Sequence, residues 1–177
     1  MCGMAEMTTL LKQVNGVSVD AFDFSAGMCE GAKRAVARNG WNDVTISQGD
    51  VLLLPSDARY DRVAVTFGLK TLAPDQLNRF AQILFGILAT EGKVSLVEIY
   101  VPRARLLRLP YLFYLRWIIP AVGRLFLGNP DCYRSLAVYT ENFARTENFA
   151  AMLKSVGFTV STRPLFYGCA KLYLAEK

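Results

Sequence analysis

Three residues have types and spacing suited to binding a nucleotide-like ligand: Gly3 in the turn before the first predicted helix, and Asp23 and Asp50 at the ends of predicted strands. Gly3 lies in a turn that leads into an amphipathic segment, and a helix N-terminus there can hold a carboxylate or phosphate. Asp23 follows 20 positions later at a strand end, where an acid can accept hydrogen bonds from ribose hydroxyls. Asp50 ends the next strand and could accept from an adenine amino group. Together they predict a site at the carboxyl ends of parallel strands.

Each of these residues also has an interpretation that needs no ligand. Gly3 could form an ordinary turn, Asp23 could help Ser25 to cap the next helix, and Asp50 could be a loop acid. Only their order and spacing together favour a binding site.

Composition excludes several kinds of catalytic site. The chain contains no histidine, which removes Ser-His-Asp and Cys-His catalysis and His-dependent zinc sites. Proton transfer would have to use a carboxylate, Lys, Tyr, Cys or water. The four cysteines are Cys2, Cys29, Cys132 and Cys169, and their scatter predicts reduced thiols in the cytoplasm.

The net charge of +5 is a mild basic excess, from 20 Lys and Arg against 15 Asp and Glu. It suits an anionic membrane surface or an acidic ligand. The sequence has no long basic run and no RNA-binding aromatic motif, so we expect no nucleic acid partner. No signal peptide is visible. We expect a cytoplasmic protein that makes peripheral contact with the inner membrane. Whether it forms a homodimer stays open.

Strands alternate with helices along most of the chain, which predicts a mostly parallel sheet covered on both sides. Ser25 and Gly40 should bound one helix, and Pro74 and Gly92 another. The predicted helices cover 5–14, 26–40, 73–92 and 146–158, and the predicted strands cover 17–24, 44–50, 60–68 and 93–102. The last 19 residues predict two further strands about a bend at Tyr167–Gly168. We predict one domain over 1–177.

Residues 103–145 form an insertion of different character. The first part is strongly apolar, is interrupted by Pro110 and Pro120, and should therefore not be one long helix. No acidic residue occurs between Glu98 and Asp131. One interpretation is a buried helical cap. The other is a lid that also touches the membrane surface, with arginine heads at lipid phosphates. Its basic residues are Arg103, Arg105, Arg108, Arg116 and Arg124.

A series of motifs makes the resemblance to a known family specific. "CGMAEMTTLL", "FDFSAGMCEGAKR", "QGDVLLLP", "VTFGLKTL", "GKVSLVEIYVP" and "LGNPDCYRSL" occur in that order. The chain thus resembles the UbiE/MenG/COQ5 family, the class I S-adenosylmethionine (SAM)-dependent C-methyltransferases of ubiquinone and menaquinone synthesis. The resemblance implies a doubly wound α/β (Rossmann-like) sheet with a C-terminal antiparallel strand. It also implies SAM as cofactor and a lipophilic quinol as substrate.

The resemblance also implies roles for individual residues. The glycine-rich loop, which would hold the methionine portion of SAM, falls on Gly3, Met4, Ala5 and Glu6. The ribose acid falls on Asp23 and the adenine side on Met28, Asp50 and Val51, while Thr66 would line the pocket. The expected substrate-binding residues are Phe67, Gly68, Arg116, Tyr133 and Arg134.

Two features depart from the family pattern. The loop usually reads Gly-Thr-Gly-acid, and here Ala5 stands where a positive φ favours glycine. The family also has an apolar strand before this loop, so we expect the chain to be an internal start and to lack a central strand. The alternative is that the chain is complete and another strand closes the gap.

Lys70 is the candidate catalytic residue. Methylating a ring carbon needs an electron-rich ring, which a quinol provides best as its phenolate. Lys70 follows the strand "RVAVTF", where it could hold the phenolate or relay its proton through water. The alternative is a solvated loop lysine. Two other functions stay open: a SAM-dependent enzyme acting on another small molecule, and a non-catalytic domain that binds lipid or a partner.

Overall fold

The secondary structure alternates as the sequence predicts. The computed structural model describes residues 1–54, 60–127, 131–146 and 148–177, and gives the backbone alone for 125–127, 131–134 and 146. The helices are α1 (Glu6–Leu11), α2 (Ala26–Asn39), α3 (Pro74–Ile87), α4 (Arg105–Phe113), α5 (Ile119–Leu127), α6 (Asp131–Thr146) and α7 (Phe149–Ser155). The strands are β1 (Val19–Asp23), β2 (Val44–Gln48), β3 (Tyr60–Thr66), β4 (Leu88–Ile99), β5 (Thr159–Leu165) and β6 (Ala170–Glu176).

The described strands form two sheets. β1 pairs with β2 in parallel, and the second sheet has the order β3-β4-β6-β5, with β3 and β4 parallel and β6 antiparallel to both neighbours. The Tyr60 hydroxyl crosses between them and donates to Asp20 Oδ2 at 3.2 Å. No described strand lies between β1 and β3, and Ala64 in the middle of β3 is exposed. No other described strand therefore takes the place of the expected central strand between β1 and β3. The alternative that another strand closes this gap is wrong for the described residues.

Local sequence signals set the ends of α2. The Ser25 side chain accepts a hydrogen bond from the Met28 N–H at 3.4 Å, and Gly40 ends the helix with a φ of 66°. Both residues act as predicted, because a serine oxygen can accept from a free N–H at the first turn and glycine tolerates a left-handed backbone.

Two helix predictions are wrong in extent. α3 begins at Pro74 as expected but ends at Ile87, and Gly92 lies inside β4 instead of closing the helix. α1, predicted over 5–14, ends at Leu11, and the apolar side chains of Leu10 and Val14 are exposed. Helical spacing alone did not show that these side chains have little to pack against.

The insertion is more continuous than its prolines predict. Residues 105–127 are helical throughout, with a π-helical turn at Tyr114–Ile118 between α4 and α5. Pro110 lies inside α4 and does not end it, whereas the π-helical turn separates α4 from α5 just before Pro120. The segment is therefore not one α-helix, as predicted, although its backbone stays helical through both prolines.

The core lies between α3, α7 and the larger sheet. Phe80 of α3 stacks on Phe149 of α7 with ring centroids 6.5 Å apart, and Phe149 meets Tyr173 of β6 edge-on at 5.9 Å. This core anchors β3 and β4, whose carboxyl ends carry part of the candidate site. Among the described residues, no helix has the length and apolar character needed to cross a bilayer.

Candidate functional site

The turn before α1 contacts the end of β1 directly. The Gly3 N–H donates to Asp23 Oδ2 at 2.9 Å, so two predicted site residues 20 positions apart are neighbours. Glu6 folds back over this turn and its Oε2 accepts from the Met4 N–H at 3.0 Å. Ala5 adopts a left-handed backbone with a φ of 76°, and its side chain is fully buried. Ala5 therefore adopts the left-handed backbone that glycine favours at this position, with its methyl group packed inside the protein.

Asp23 is the centre of this half of the site. Its second oxygen, Oδ1, accepts from the Ser25 N–H at 3.0 Å, so the carboxylate also orders the start of α2. The Asp23 carbonyl accepts from the Gly49 N–H at 2.9 Å, which places the loop carrying Asp50 beside it. A carboxylate has about four lone-pair sites, so two backbone donors still leave room for ribose hydroxyls.

Asp50 has a structural contact in addition to its predicted role. Its Oδ1 accepts from the Leu52 N–H at 2.9 Å and caps the 3₁₀ turn Val51–Leu53. Val51 packs partly buried against the core, while Met28 on α2 is largely exposed. Asp50 Oδ2 has no hydrogen-bond partner among the residues that the structure describes.

The end of β3 carries a backbone that an aromatic residue seldom adopts. Thr66 is partly buried, and Phe67 has a φ of 60° with half of its surface exposed. Gly68 is covered by the Met1 side chain, with which a Cβ at position 68 would collide. Strained residues of this kind concentrate at binding sites.

Lys70 is a buried ion-pair partner. Its Nζ lies 3.0 Å from Glu98 Oε1, and the side chains of Lys70 and Glu98 are 7% and 0% exposed. Nζ also donates to the Phe67 carbonyl, and the Lys70 backbone N–H donates to Glu98 Oε2 at 3.0 Å. The alternative of a solvated loop lysine is therefore wrong.

Glu98 and Tyr111 were missed by sequence reasoning. Glu98 lies near the carboxyl end of β4, and an acid in the otherwise apolar "VSLVEIYVP" was a signal for it. Tyr111 of α4 donates to the Cys169 carbonyl at 3.1 Å and ties the insertion to the end of the sheet. Burial raises the pKa of Tyr111 well above its usual range, with smaller contributions from Cys169, Tyr114 and Glu98.

The predicted substrate residues of the insertion are only partly placed. Arg116 forms an ion pair with Glu141 of α6, a partner that lies 25 positions away and could not be read from the sequence. The side chains of Tyr133 and Arg134 lie outside the described residues.

Comparison with known proteins identifies the family of this chain. The chain matches the ubiE/COQ5 methyltransferase family over residues 1–176. It belongs to this family. The demethylmenaquinone methyltransferase of Anoxybacillus flavithermus is 29% identical over 180 residues, covering 99% of this chain and 75% of the relative. The enzyme of that name from Thermus thermophilus is 28% identical over 177 residues, covering 99% and 79%.

Solved structures show the same fold at low sequence identity. A Pyrococcus horikoshii protein is 18% identical with a TM-score of 0.66, covering 99% of this chain and 78% of that one. The magnesium protoporphyrin IX methyltransferase of Synechocystis, solved with bound SAH, is 17% identical with a TM-score of 0.62, covering 99% and 71%. The predicted fold, that of class I methyltransferases, is confirmed.

Family membership confirms two further predictions: the chain is a SAM-dependent methyltransferase, and SAM is its cofactor. The described residues fit this cofactor. Asp23 and Asp50 lie at adjacent strand ends, linked through the Gly49 N–H, and the Gly3 turn contacts Asp23. Carboxylates in these positions are suited to ribose hydroxyls and an adenine amino group.

Proposed function

We propose that this chain transfers a methyl group from SAM to a ring carbon of a demethylated benzoquinol or naphthoquinol. The observation that carries the proposal is the hydrogen bond between Gly3 and Asp23, within a family whose members include demethylmenaquinone methyltransferases. Bound SAM would supply an electrophilic methyl group and leave as S-adenosylhomocysteine, and the proton lost from the methylated ring carbon would pass to water. Asp23 and Asp50 would hold its ribose and adenine, with Gly3, Met4, Ala5 and Glu6 beside its methionine portion.

The second half of the proposal concerns Lys70. Its ammonium group has three N–H donors, of which Glu98 and the Phe67 carbonyl take two. The third can donate to the phenolate oxygen of the acceptor, which keeps the ring electron-rich. Because Glu98 offsets its charge, Lys70 would contribute a directed hydrogen bond more than net attraction. Phe67 and Gly68 would contact the acceptor ring.

The test of the function is methyl transfer in vitro. The full chain would be incubated with isotopically labelled SAM and, in separate reactions, with reduced demethylmenaquinone or a demethylated benzoquinol, each carrying a short prenyl tail, and the product rings would be analysed by mass spectrometry. We expect one labelled methyl group on a ring carbon. A chain that binds SAM but labels no benzoquinol or naphthoquinol would remove this function and favour another small-molecule acceptor.

The test of Lys70 needs care because of its partner. Lys70→Met leaves Glu98 buried and unpaired, which costs about 3–5 kcal/mol of stability. Turnover should therefore be measured per SAM-binding site, well below the melting temperature. We expect Lys70→Met to lose most turnover with SAM affinity intact, and Lys70→Arg to keep part. Full turnover in Lys70→Met would show that Lys70 has no part in the reaction.

We also propose that the insertion touches an anionic membrane surface, where a lipophilic quinol resides. Leu106 and Leu109 of α4 are 86% and 74% exposed, and Trp117 is 66% exposed. Arginines at positions 103, 105, 108 and 124 are exposed around them. A basic side chain near an anionic leaflet is worth about 1 kcal/mol, so these residues together favour binding.

Flotation with vesicles tests this contact. We expect binding to phosphatidylglycerol vesicles and loss of binding at high salt. Replacing Arg105 and Arg108 by Gln should weaken it, whereas replacing the exposed Lys33 and Arg38 of α2 should not. Equal binding to neutral and anionic vesicles would count against it. Sedimentation at the same concentrations would show whether the apolar face instead joins two copies.

A further inference from the structure

Glu98 is a fully buried carboxylate surrounded by donors. Its Oε1 accepts from Lys70 Nζ at 3.0 Å and from the Ile99 N–H at 2.8 Å, while Oε2 accepts from the Lys70 backbone N–H at 3.0 Å. A buried charge is tolerated when it is both paired and hydrogen-bonded, and Glu98 meets both conditions. Both Glu98 oxygens accept hydrogen bonds. In a glutamine at this position, the amide NH₂ would therefore face N–H donors of Lys70 or Ile99.

The contacts continue from Lys70 to Phe67. Lys70 Nζ donates to the Phe67 carbonyl and lies 5.9 Å from the centre of its ring. Phe67 has a left-handed backbone, which is unfavourable for a bulky residue and persists only where its surroundings hold it. Glu98 therefore lies at one end of a chain of contacts that fixes a strained, half-exposed aromatic residue at the end of β3.

We propose that Glu98 is a positioning residue for methyl transfer, acting through Lys70. It fixes the direction of the Lys70 ammonium group, so that the remaining N–H meets the acceptor oxygen, and it holds Phe67 where its ring contacts the acceptor ring. The proposal rests on the proposed function, since it takes Lys70 as the donor to the acceptor. Its alternative is an ion pair that only stabilises the Leu69–Thr71 turn.

A double-mutant cycle distinguishes these roles. Glu98→Gln, Lys70→Met and the double variant would be compared for kcat, for KM of the acceptor and for SAM affinity. The matched control is Glu176→Gln, which breaks the half-exposed pair between Lys93 and Glu176 on the same β4–β6 ladder. All rates are taken per SAM-binding site, below the melting temperature of each variant.

We expect Glu98→Gln to lower kcat about tenfold or more, with KM and SAM affinity nearly unchanged. In the Lys70→Met background the same change should cost less than about twofold, because residues that act as a unit are not additive. A kcat per site equal to that of Glu176→Gln, or the same factor in both backgrounds, would overturn the proposal. If Glu98→Gln does not fold, Glu98→Asp replaces it, and an unchanged kcat would overturn the proposal equally.

A second readout does not depend on activity. Reductive methylation, mapped by mass spectrometry, should modify Lys70 slowly compared with the exposed Lys33 and Lys93, and faster in Glu98→Gln. Modification of Lys70 at the rate of Lys93 in the unaltered chain would overturn the proposal. A chain that protects Lys70 and binds SAM, yet methylates no quinol, would instead overturn the proposed function.

Discussion

Replacing Asp23 by alanine should weaken both folding and cofactor binding, for separable reasons. The carboxylate accepts from the Gly3 and Ser25 N–H groups at 2.9 and 3.0 Å. A hydrogen bond to a charged group is worth about 1.5–3 kcal/mol, and the exposed contact with Ser25 belongs at or below the low end. We therefore expect Asp23→Ala to lower the free energy of unfolding by about 2–4 kcal/mol.

The effect on SAM is a further loss. Ribose hydroxyls left poorly paired cost about 1–3 kcal/mol of binding free energy, which corresponds to an increase of about 5- to 150-fold in the dissociation constant for SAM. Urea denaturation would give the stability and titration calorimetry the affinity, both well below the melting temperature. Asp23→Asn should fall between, because one amide oxygen still accepts.

Asp20→Ala is the matched control for Asp23→Ala. It removes the same charge from the same strand, where Asp20, among the described residues, accepts one exposed hydrogen bond, from the Tyr60 hydroxyl at 3.2 Å. We expect it to leave SAM affinity unchanged. If Asp23→Ala binds SAM as tightly as Asp20→Ala does, Asp23 does not hold the ribose.

Three further predictions follow from local contacts. Ala5→Gly should change the free energy of unfolding by less than about 1 kcal/mol. Glycine relieves about 1–2 kcal/mol of left-handed strain, but it loses the buried methyl contact and makes the unfolded chain more flexible. A loss above about 2 kcal/mol in urea denaturation would contradict this. The hydrogen bond from Lys12 lowers the pKa of Asp43 below its usual 3.8. The stability that this pair contributes is therefore fully present above pH 3.8 and is lost as the pH falls through the lowered pKa. In Lys12→Met, urea denaturation at several pH values should show a smaller loss of stability over this acidic range. Burial raises the pKa of the Cys2 thiol from 9.0, so iodoacetamide should modify Cys2 more slowly at pH 8 than it modifies glutathione, and an equal rate would contradict the burial.

Features fixed by a few adjacent residues were predictable from the sequence. Ser25 and Gly40 bound α2 because each satisfies backbone groups within one turn. Asp23 and Asp50 could be placed because the carboxyl ends of parallel strands meet at one edge. The end of α3 could not, since β4 begins at Leu88 and Glu91 takes the positive φ that was expected of glycine at position 92. That outcome is decided by pairing with β3, which helical periodicity does not show.

Ion pairs between distant residues were the main information that the sequence did not contain. Lys70 and Glu98 are 28 positions apart, and Arg116 and Glu141 are 25 apart, so neither pair follows from local spacing. Both cations were predicted to act as charges toward a ligand. Each of these two ion pairs is nearly neutral as a pair. The role that we propose for Lys70 is therefore that of a directed hydrogen-bond donor and not of a net charge.

This pairing changes how the basic excess of the chain should be interpreted. Arg116 is paired with Glu141, whose other oxygen lies 4.0 Å from Arg145, so the proposed attraction to an anionic surface would rest mainly on the exposed arginines at positions 103, 105, 108 and 124. The first three lie at the start of the insertion, next to the carboxyl end of β4 and its buried Glu98. Tyr111, hydrogen-bonded to Cys169, joins the same helix to the end of the sheet. The helix that we propose to face the membrane and the proposed acceptor site therefore share one end of the molecule, which is the arrangement that a substrate drawn from the bilayer requires.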